Sequence, residues 1–369
     1  MVPGKRLVAL DGLRGAGALA IVAWHWQHFF ALDGKPGRID AQPFFALLKP
    51  LYVQGWAAVD LFFVLSGFVF FWLYGEALRT RRVGATAFAG ARLSRLWPLH
   101  AAMLLLVAAG QFLYAYSGGF FFVYPANDGS HFVASLFMVQ NWWPGAAQSF
   151  DGPSWSVSVE MLLYMLFFAA CRAGVARGTQ CLMLALWGAL LLPVDEHIAR
   201  GVVGFFMGGF AFTQWETLRA RADLRRIAAW FTAATVAGWS VLIAALYLDR
   251  VRGGEGNALF LLLFDFGLAP LTVLTLALLE ARGLRAPRWL GSLGDASYAV
   301  YLIHFPLQLA LALLARRIGL HAAFFMQAGV FVAFVAVLLA LSLACHHGFE
   351  RPVMRWLRRP PVRAALAES

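Results

Sequence analysis

Ten stretches of this sequence, at about 7–31, 52–76, 97–116, 155–171, 179–194, 200–215, 227–248, 258–280, 296–315 and 323–347, are apolar along most of their length. A helix that crosses a bilayer needs roughly 17–25 such residues. The pattern predicts an all-α, polytopic integral-membrane bundle of about ten transmembrane helices, a single domain over 1–369. The fifth and sixth stretches are short and can tilt or pair as a re-entrant hairpin. The segment 131–140 is too short to span and reads as an interfacial or buried helix. The first stretch lacks a clear small-residue cleavage site and carries Arg14 and His25, so it reads as a mature helix and not a signal peptide.

Only 13% of the side chains are charged, against about 25% in an ordinary soluble domain. That shortfall excludes a soluble enzyme, a DNA-binding domain and a disordered chain. The net charge of +11 then reports sidedness and not nucleic-acid binding. With the N-terminus inside, 22 of the 30 lysines and arginines fall on the inner side. The outer eight include Arg200 and Arg250, and the outer loop 117–154 has none. Both termini are therefore expected in the cytoplasm. The three cysteines have no CxxC spacing, which argues against a disulfide framework or a thiolate metal site.

Charged groups inside apolar runs are expensive, so the few present are informative. Arg14 and His25 are eleven residues apart in the first run. At about 100° per residue they share one helix face, separated by a rise of about 16 Å. Asp11 lies one turn from Arg14 and can pair with it. His28, near the outer interface, reads as structural. Arg92 and Arg95 are one turn apart and can project together, offering planar donor forks to a phosphate of CoA or a nucleotide. The stretch SFDGPSWSVSVE (149–160) enters the fourth span from outside. Asp151 can cap there, Pro153 suits the first turn, and Ser156, Glu160 and Tyr164 form one stripe. Glu160, far from any basic residue in sequence, suits either proton transfer or helix packing.

Asp60 and Ser66 lie in WAAVDLFFVLSGF, and Asp265 near the outer end of the eighth run. Ser297, Tyr301 and His304 share a face in GDASYAVYLIHFP, where Pro306 is expected to kink the helix. His304 alone reads as a packing residue. Glu350 is expected to pair with an inner arginine. HExxH, GxSxG, Walker A and GxGxxG motifs are absent, so zinc, serine-hydrolase, ATP-driven and dinucleotide chemistry lack support. No metal site and no tightly bound cofactor is expected.

LDGLRGAGALAIVAWHW (10–26), DLFFVLSGFVFF (60–71), RLSRLWPLH (92–100), PSWSVSVEMLLYML (153–166), GDASYAVYLIHFPL (294–307) and FERP (349–352) occur in this order along nearly the whole chain. In them the sequence resembles the acyltransferase 3 family of integral-membrane acyltransferases. The resemblance implies ten spans in a bacterial-type inner membrane. It implies a cytoplasmic acyl-CoA cosubstrate, usually acetyl-CoA, and acceptors such as extracytoplasmic glycans, antibiotics or lipids. The family's arginine-to-histidine motif falls on Arg14 and His25, and its paired arginines on Arg92 and Arg95. Its SWS-to-glutamate motif falls on Ser154, Trp155, Ser156 and Glu160. Some relatives carry a C-terminal esterase-like domain, for which this chain is expected to be too short.

The expected activity is transfer of an acyl group from acyl-CoA to a hydroxyl of a glycan or lipid-linked saccharide. CoA phosphates would dock on Arg92, Arg95 and Arg14. His25 would act as base or acyl carrier, and Glu160 would orient it or shuttle its proton. Asp11, Asp60, Ser154, Trp155, Ser156, Tyr301 and His304 would support the site. A proton-coupled transporter with a His25–Glu160–Asp60 relay is the alternative, and a structural scaffold a third reading. Acceptor choice would lie in loops 32–51 and 117–154, where Tyr124, Trp142, Trp143 and Phe150 could stack on sugars or form an interfacial belt. No motif encodes the oligomeric state.

Overall fold

The protein is described by a computed structural model covering residues 6–34, 37–250 and 258–357. The termini, Lys5, Lys35, Arg252, Arg358, Arg359 and Arg363 lie outside the described residues, so the expected sidedness rests on the sequence. Among the described residues the fold is all-helical, without strands. The helices are α1 Val8–Trp24, α2 Phe45–Gln54, α3 Ala58–Phe70, α4 Glu76–Arg79, α5 Ala85–Gly118, α6 Gly129–Leu136, α7 Trp155–Arg172 and α8 Gly178–Ala189. They continue as α9 Glu196–Leu218, α10 Leu224–Tyr247, α11 Ala258–Leu263, α12 Ala269–Ala281, α13 Arg288–Ile318, α14 Ala322–Phe325, α15 Ala328–Cys345 and α16 Arg351–Leu357.

Seven helical runs among the described residues are long and apolar enough to cross a membrane: Phe45–Arg79, Ala85–Gly118, Gly152–Arg172, Leu224–Tyr247, Leu259–Ala281, Arg288–Ile318 and Ala328–Leu357. The protein is a multi-pass membrane protein. The other three expected spans are helices that fall short of that measure. α1 turns into a 3₁₀ helix at His25, and α8 has 12 residues. α9 has 23 residues but includes Glu196, His197, Arg200 and Glu216. The segment 131–140 is partly α6, whose N-terminus is capped by Asp128, which accepts from the His131 N–H at 3.0 Å.

The runs differ in what covers them. Two-thirds of the Phe45–Arg79 window is buried, against 6% of Leu224–Tyr247. The second helix is apolar all round and faces lipid; the first is the core of the bundle. α3 packs on α9 through glycines. A Cβ at Gly67 would lie 1.8 Å from the Phe205 carbonyl oxygen, and one at Gly208 2.0 Å from that of Val64. Small residues let the two backbones touch, as membrane helices require where no hydrophobic effect drives association. α1 lies along α13, tied at its start by Arg6, which bonds to Asp11, to Asp295 at 2.7 Å and to the Gly291 carbonyl at 2.8 Å. α13 continues through Pro306.

Candidate active site

α1 and the 3₁₀ helix that continues it carry the first two site residues, Arg14 and His25. The α-helical turn of α1 persists through Arg14 and stops at Trp24; residues 25–33 wind as 3₁₀ helix. In a 3₁₀ turn the side chains at i and i+3 eclipse. His25 and His28 therefore face the same way, with ring centroids 4.8 Å apart. His28, expected to be structural, is buried. Its Nδ1 meets Gln308 Oε1 at 2.9 Å, and its Nε2 meets the Tyr124 hydroxyl at 3.2 Å.

His25, His28, Tyr124, Gln27, Gln148, Trp24 and Trp155 line one cavity, here called the histidine cavity. Its lining has no lysine, arginine or carboxylate. His304 closes the network from α13. Its Nε2 lies 3.1 Å from His25 Nδ1, and its own Nδ1 contacts the Tyr301 carbonyl. His304, expected to support the site, is thus in direct contact with His25. Tyr124 is set by the preceding loop. The Gln111 side-chain amide pairs with both backbone groups of Phe122, at 2.9 and 2.8 Å. Val123 takes a left-handed backbone, φ 60°, rare for a β-branched residue. Tyr124 and Phe150 are buried, and Trp142 Nε1 donates to the Ser158 carbonyl at 2.9 Å. Only Trp143 of the four loop aromatics is exposed enough to suit a belt.

A second cavity lies further towards the start of α1. Arg14, Arg95, Glu160, Tyr164, Ser66, Ser156, Ser297, Tyr298 and Tyr301 line it. Glu160 accepts from Ser66 Oγ at 3.0 Å and from the Tyr164 hydroxyl. It sits within electrostatic reach of Arg14, as does Arg95, although all three are remote in sequence. Glu160 thus lines a different cavity from His25 and is hydrogen-bonded to Ser66 and Tyr164. The wall between the cavities is Pro153, Ser156 and Tyr301. The Tyr301 hydroxyl donates to the Pro153 carbonyl and accepts from Ser156 Oγ at 2.6 Å. Ser154 is held by Gln140, whose Nε2 lies 3.3 Å from its hydroxyl.

The arginine pair splits. Arg95 lines the arginine cavity, whereas Arg92 is buried among Phe70, Tyr74, Phe88 and Tyr164 and donates to the Tyr74 hydroxyl at 2.6 Å. One turn of helix still offsets two side chains enough for one to meet a cavity and the other an aromatic cage. Asp11 pairs first with Arg6, and Arg14 stands 3.9 Å away. Glu350 bonds to His346 at 2.7 Å, not to an arginine. Asp151 gives no side-chain cap. It is buried, and burial pushes its carboxyl up to about 8.

Asp60 and Arg200 are the residues the sequence hid best. Arg200, expected in an outer loop, is 1% exposed inside α9. It grips Asp60 with two N–H donors at 2.9 and 3.3 Å and lies over the rings of Trp56 and Trp155. Asp60 is therefore a structural partner behind Trp155. The expected His25–Glu160–Asp60 relay has no direct hydrogen bond between its members: each is engaged elsewhere.

A family model described as an acyltransferase domain matches residues 7–347. The acyltransferase MdmB of Streptomyces mycarofaciens is 28% identical, covering 98% of this chain and 95% of the relative. The exopolysaccharide production protein ExoZ of Rhizobium meliloti is also 28% identical, over 86% of this chain and 95% of its own. No solved structure matches.

Proposed function

We propose, from the premise that this chain belongs to the acyltransferase 3 family and is an acyl-transferring enzyme, that it moves an acyl group from cytoplasmic acyl-CoA to a hydroxyl of an extracytoplasmic saccharide. Acetyl is the donor group that the family usually carries. The observation that carries this reading is the pairing of two unlike cavities across the Ser156–Tyr301 wall. Arg14 and Arg95 offer guanidinium forks to a phosphate-bearing donor. The other cavity, with its aromatic and amide lining, suits a neutral polyol. ExoZ, named for exopolysaccharide production, supports a saccharide acceptor.

In this scheme CoA enters from the arginine side, and its thioester reaches the wall. The acceptor hydroxyl lies against His25. His25 takes the hydroxyl proton while the oxygen bonds to the acyl carbon. The C–S bond breaks, the CoA thiolate leaves with the electron pair, and it receives the proton as free thiol. Glu160 stays on the donor side and balances the arginines. Arg92 acts through its aromatic cage and not through phosphate.

The deciding experiment uses His25→Ala in membranes. Transfer from labelled acetyl-CoA to surface glycan, read by mass spectrometry, should fall about 10²–10⁴-fold, with acetyl-CoA binding retained. Near-normal transfer at matched protein abundance would remove His25 from the chemistry. The proposed sidedness, both termini cytoplasmic in a bacterial inner membrane, is tested by reporter fusions at the C-terminus. A periplasmic signal there would put the arginine cavity on the wrong side for CoA.

A further inference from the structure

Donor and acceptor counting around His304 fixes which nitrogen of His25 is available for chemistry. A main-chain carbonyl can only accept a hydrogen bond. The Tyr301 carbonyl meets His304 Nδ1, so that nitrogen carries the proton. In the neutral ring Nε2 is then an acceptor. It faces His25 Nδ1 at 3.1 Å, which must therefore donate. The lone pair of His25 is left on Nε2.

The same logic silences the neighbouring histidine. Gln308 Nε2 donates to the His25 carbonyl at 3.0 Å, which fixes the amide orientation. Gln308 Oε1 must then accept from His28 Nδ1 at 2.9 Å. His28 Nε2 is left to accept from the Tyr124 hydroxyl at 3.2 Å. Both nitrogens of His28 and both of His304 are engaged. Among the described residues, the side-chain partner of the His25 ring is met through Nδ1.

We infer that His304 is a positioning residue that holds His25 in the Nδ1–H tautomer, so that Nε2 is the proton acceptor for the acceptor hydroxyl. The inference deepens the proposed acyl transfer and rests on that reading for the word "acceptor"; the tautomer itself does not. When Nε2 takes the proton, the positive ring that forms keeps its Nδ1–H on His304 Nε2. His304 stabilises that ring without touching substrate, as outer partners orient other working histidines.

Two substitutions separate this role from packing. His304→Phe keeps a ring and removes the acceptor. It should lower kcat about 10²-fold or more with the KM for acetyl-CoA unchanged. His304→Gln places a carbonyl oxygen near the lost Nε2 and should restore most of the kcat. Histidine ¹⁵N spectra of the protein in nanodiscs, with His25 assigned by its loss in His25→Ala, give a readout independent of activity. Wild type should show His25 protonated at Nδ1 and bare at Nε2, and His304→Phe should mix the tautomers. An Nε2–H tautomer in wild type, or a Phe variant with wild-type kcat, overturns the inference. If His304→Phe does not fold, the wild-type spectrum and the Gln variant still decide it. Unimpaired transfer by His25→Ala would instead sink the acyl-transfer role of His25, leaving the spectrum to judge the tautomer.

Discussion

The two cavities are built on different physics. The arginine cavity holds formal charges, two guanidiniums and a carboxylate. The histidine cavity is neutral, and its order comes from chains of hydrogen bonds among rings and amides. Charge attracts at a distance and tolerates loose geometry, which suits a flexible phosphate-bearing donor. Neutral networks depend on which atom donates, which suits a proton transfer. The contrast also says where substitutions should hurt in binding and where in rate.

Four experiments press on that contrast, beginning with the buried ion pair behind Trp155. Asp60→Asn removes the carboxylate that takes two N–H donors of buried Arg200, leaving Glu196 at 3.6 Å as a more distant counter-charge. Breaking such a pair costs about 3–5 kcal/mol. Thermal unfolding in detergent should drop sharply, and both cavities should lose function together. A variant that keeps its stability but loses only donor binding would show that Asp60 serves the arginine cavity and not the packing behind Trp155.

Arg95→Ala comes next. Loss of a charged hydrogen bond worth about 1.5–3 kcal/mol weakens acetyl-CoA binding by about 10–100-fold. Arg92→Ala should instead lower stability with donor affinity nearly intact, because its aromatic cage takes up the guanidinium. Calorimetric titration with acetyl-CoA tells the two apart. Equal losses of affinity would restore the arginines to a joint phosphate site.

A milder effect is expected at Tyr124→Phe, which removes the hydroxyl that satisfies His28 Nε2. One neutral hydrogen bond is worth about 0.5–1.5 kcal/mol, so kcat should fall several-fold with donor affinity unchanged. A change in donor affinity alone would contradict the division of labour.

A separate test, outside both cavities, concerns pH. Asp151, at the mouth of α7, has its carboxyl raised by burial from an ordinary 3.8 to about 8. The folded state keeps a proton that the unfolded chain gives up above the ordinary value. Its contribution is therefore greatest below about pH 4 and declines as pH rises towards about 8. Melting temperatures of wild type should fall between pH 5 and 8 relative to Asp151→Asn. Parallel curves would mean that the buried carboxyl is already charged.

What the sequence made legible follows the same division. Hydropathy located every helix that later carried a site residue, and the eleven-residue spacing put Arg14 and His25 on one helix at different depths. The arginine cavity was visible because charge in an apolar run is rare. The histidine network was not. His304 is 279 residues from His25, Tyr124 is 96 from His28, and neither hydrogen bond leaves a local pattern. Arg92 and Arg95 look alike in sequence, and only tertiary packing decides which one meets an aromatic cage. Arg200 stands at the edge of an apolar run, and nothing in the sequence shows that Asp60, on another helix, lies against it. The glycine run GVVGFFMGG around it was the available clue, since close backbone contact implies a buried neighbour.

The Asp60–Arg200 pair bears on how the chain enters the membrane. Its partners are 140 residues apart. α3 must be inserted long before α9 is synthesised, carrying a carboxylate whose transfer into lipid costs about 2.5–3.5 kcal/mol. Until α9 arrives with its opposite charge, that helix has reason to linger beside the insertion machinery or a chaperone. Chains truncated after α7 should therefore be degraded faster than equal truncations carrying Asp60→Leu. On that expectation the bond that braces the finished protein would also mark the step at which its membrane insertion is complete.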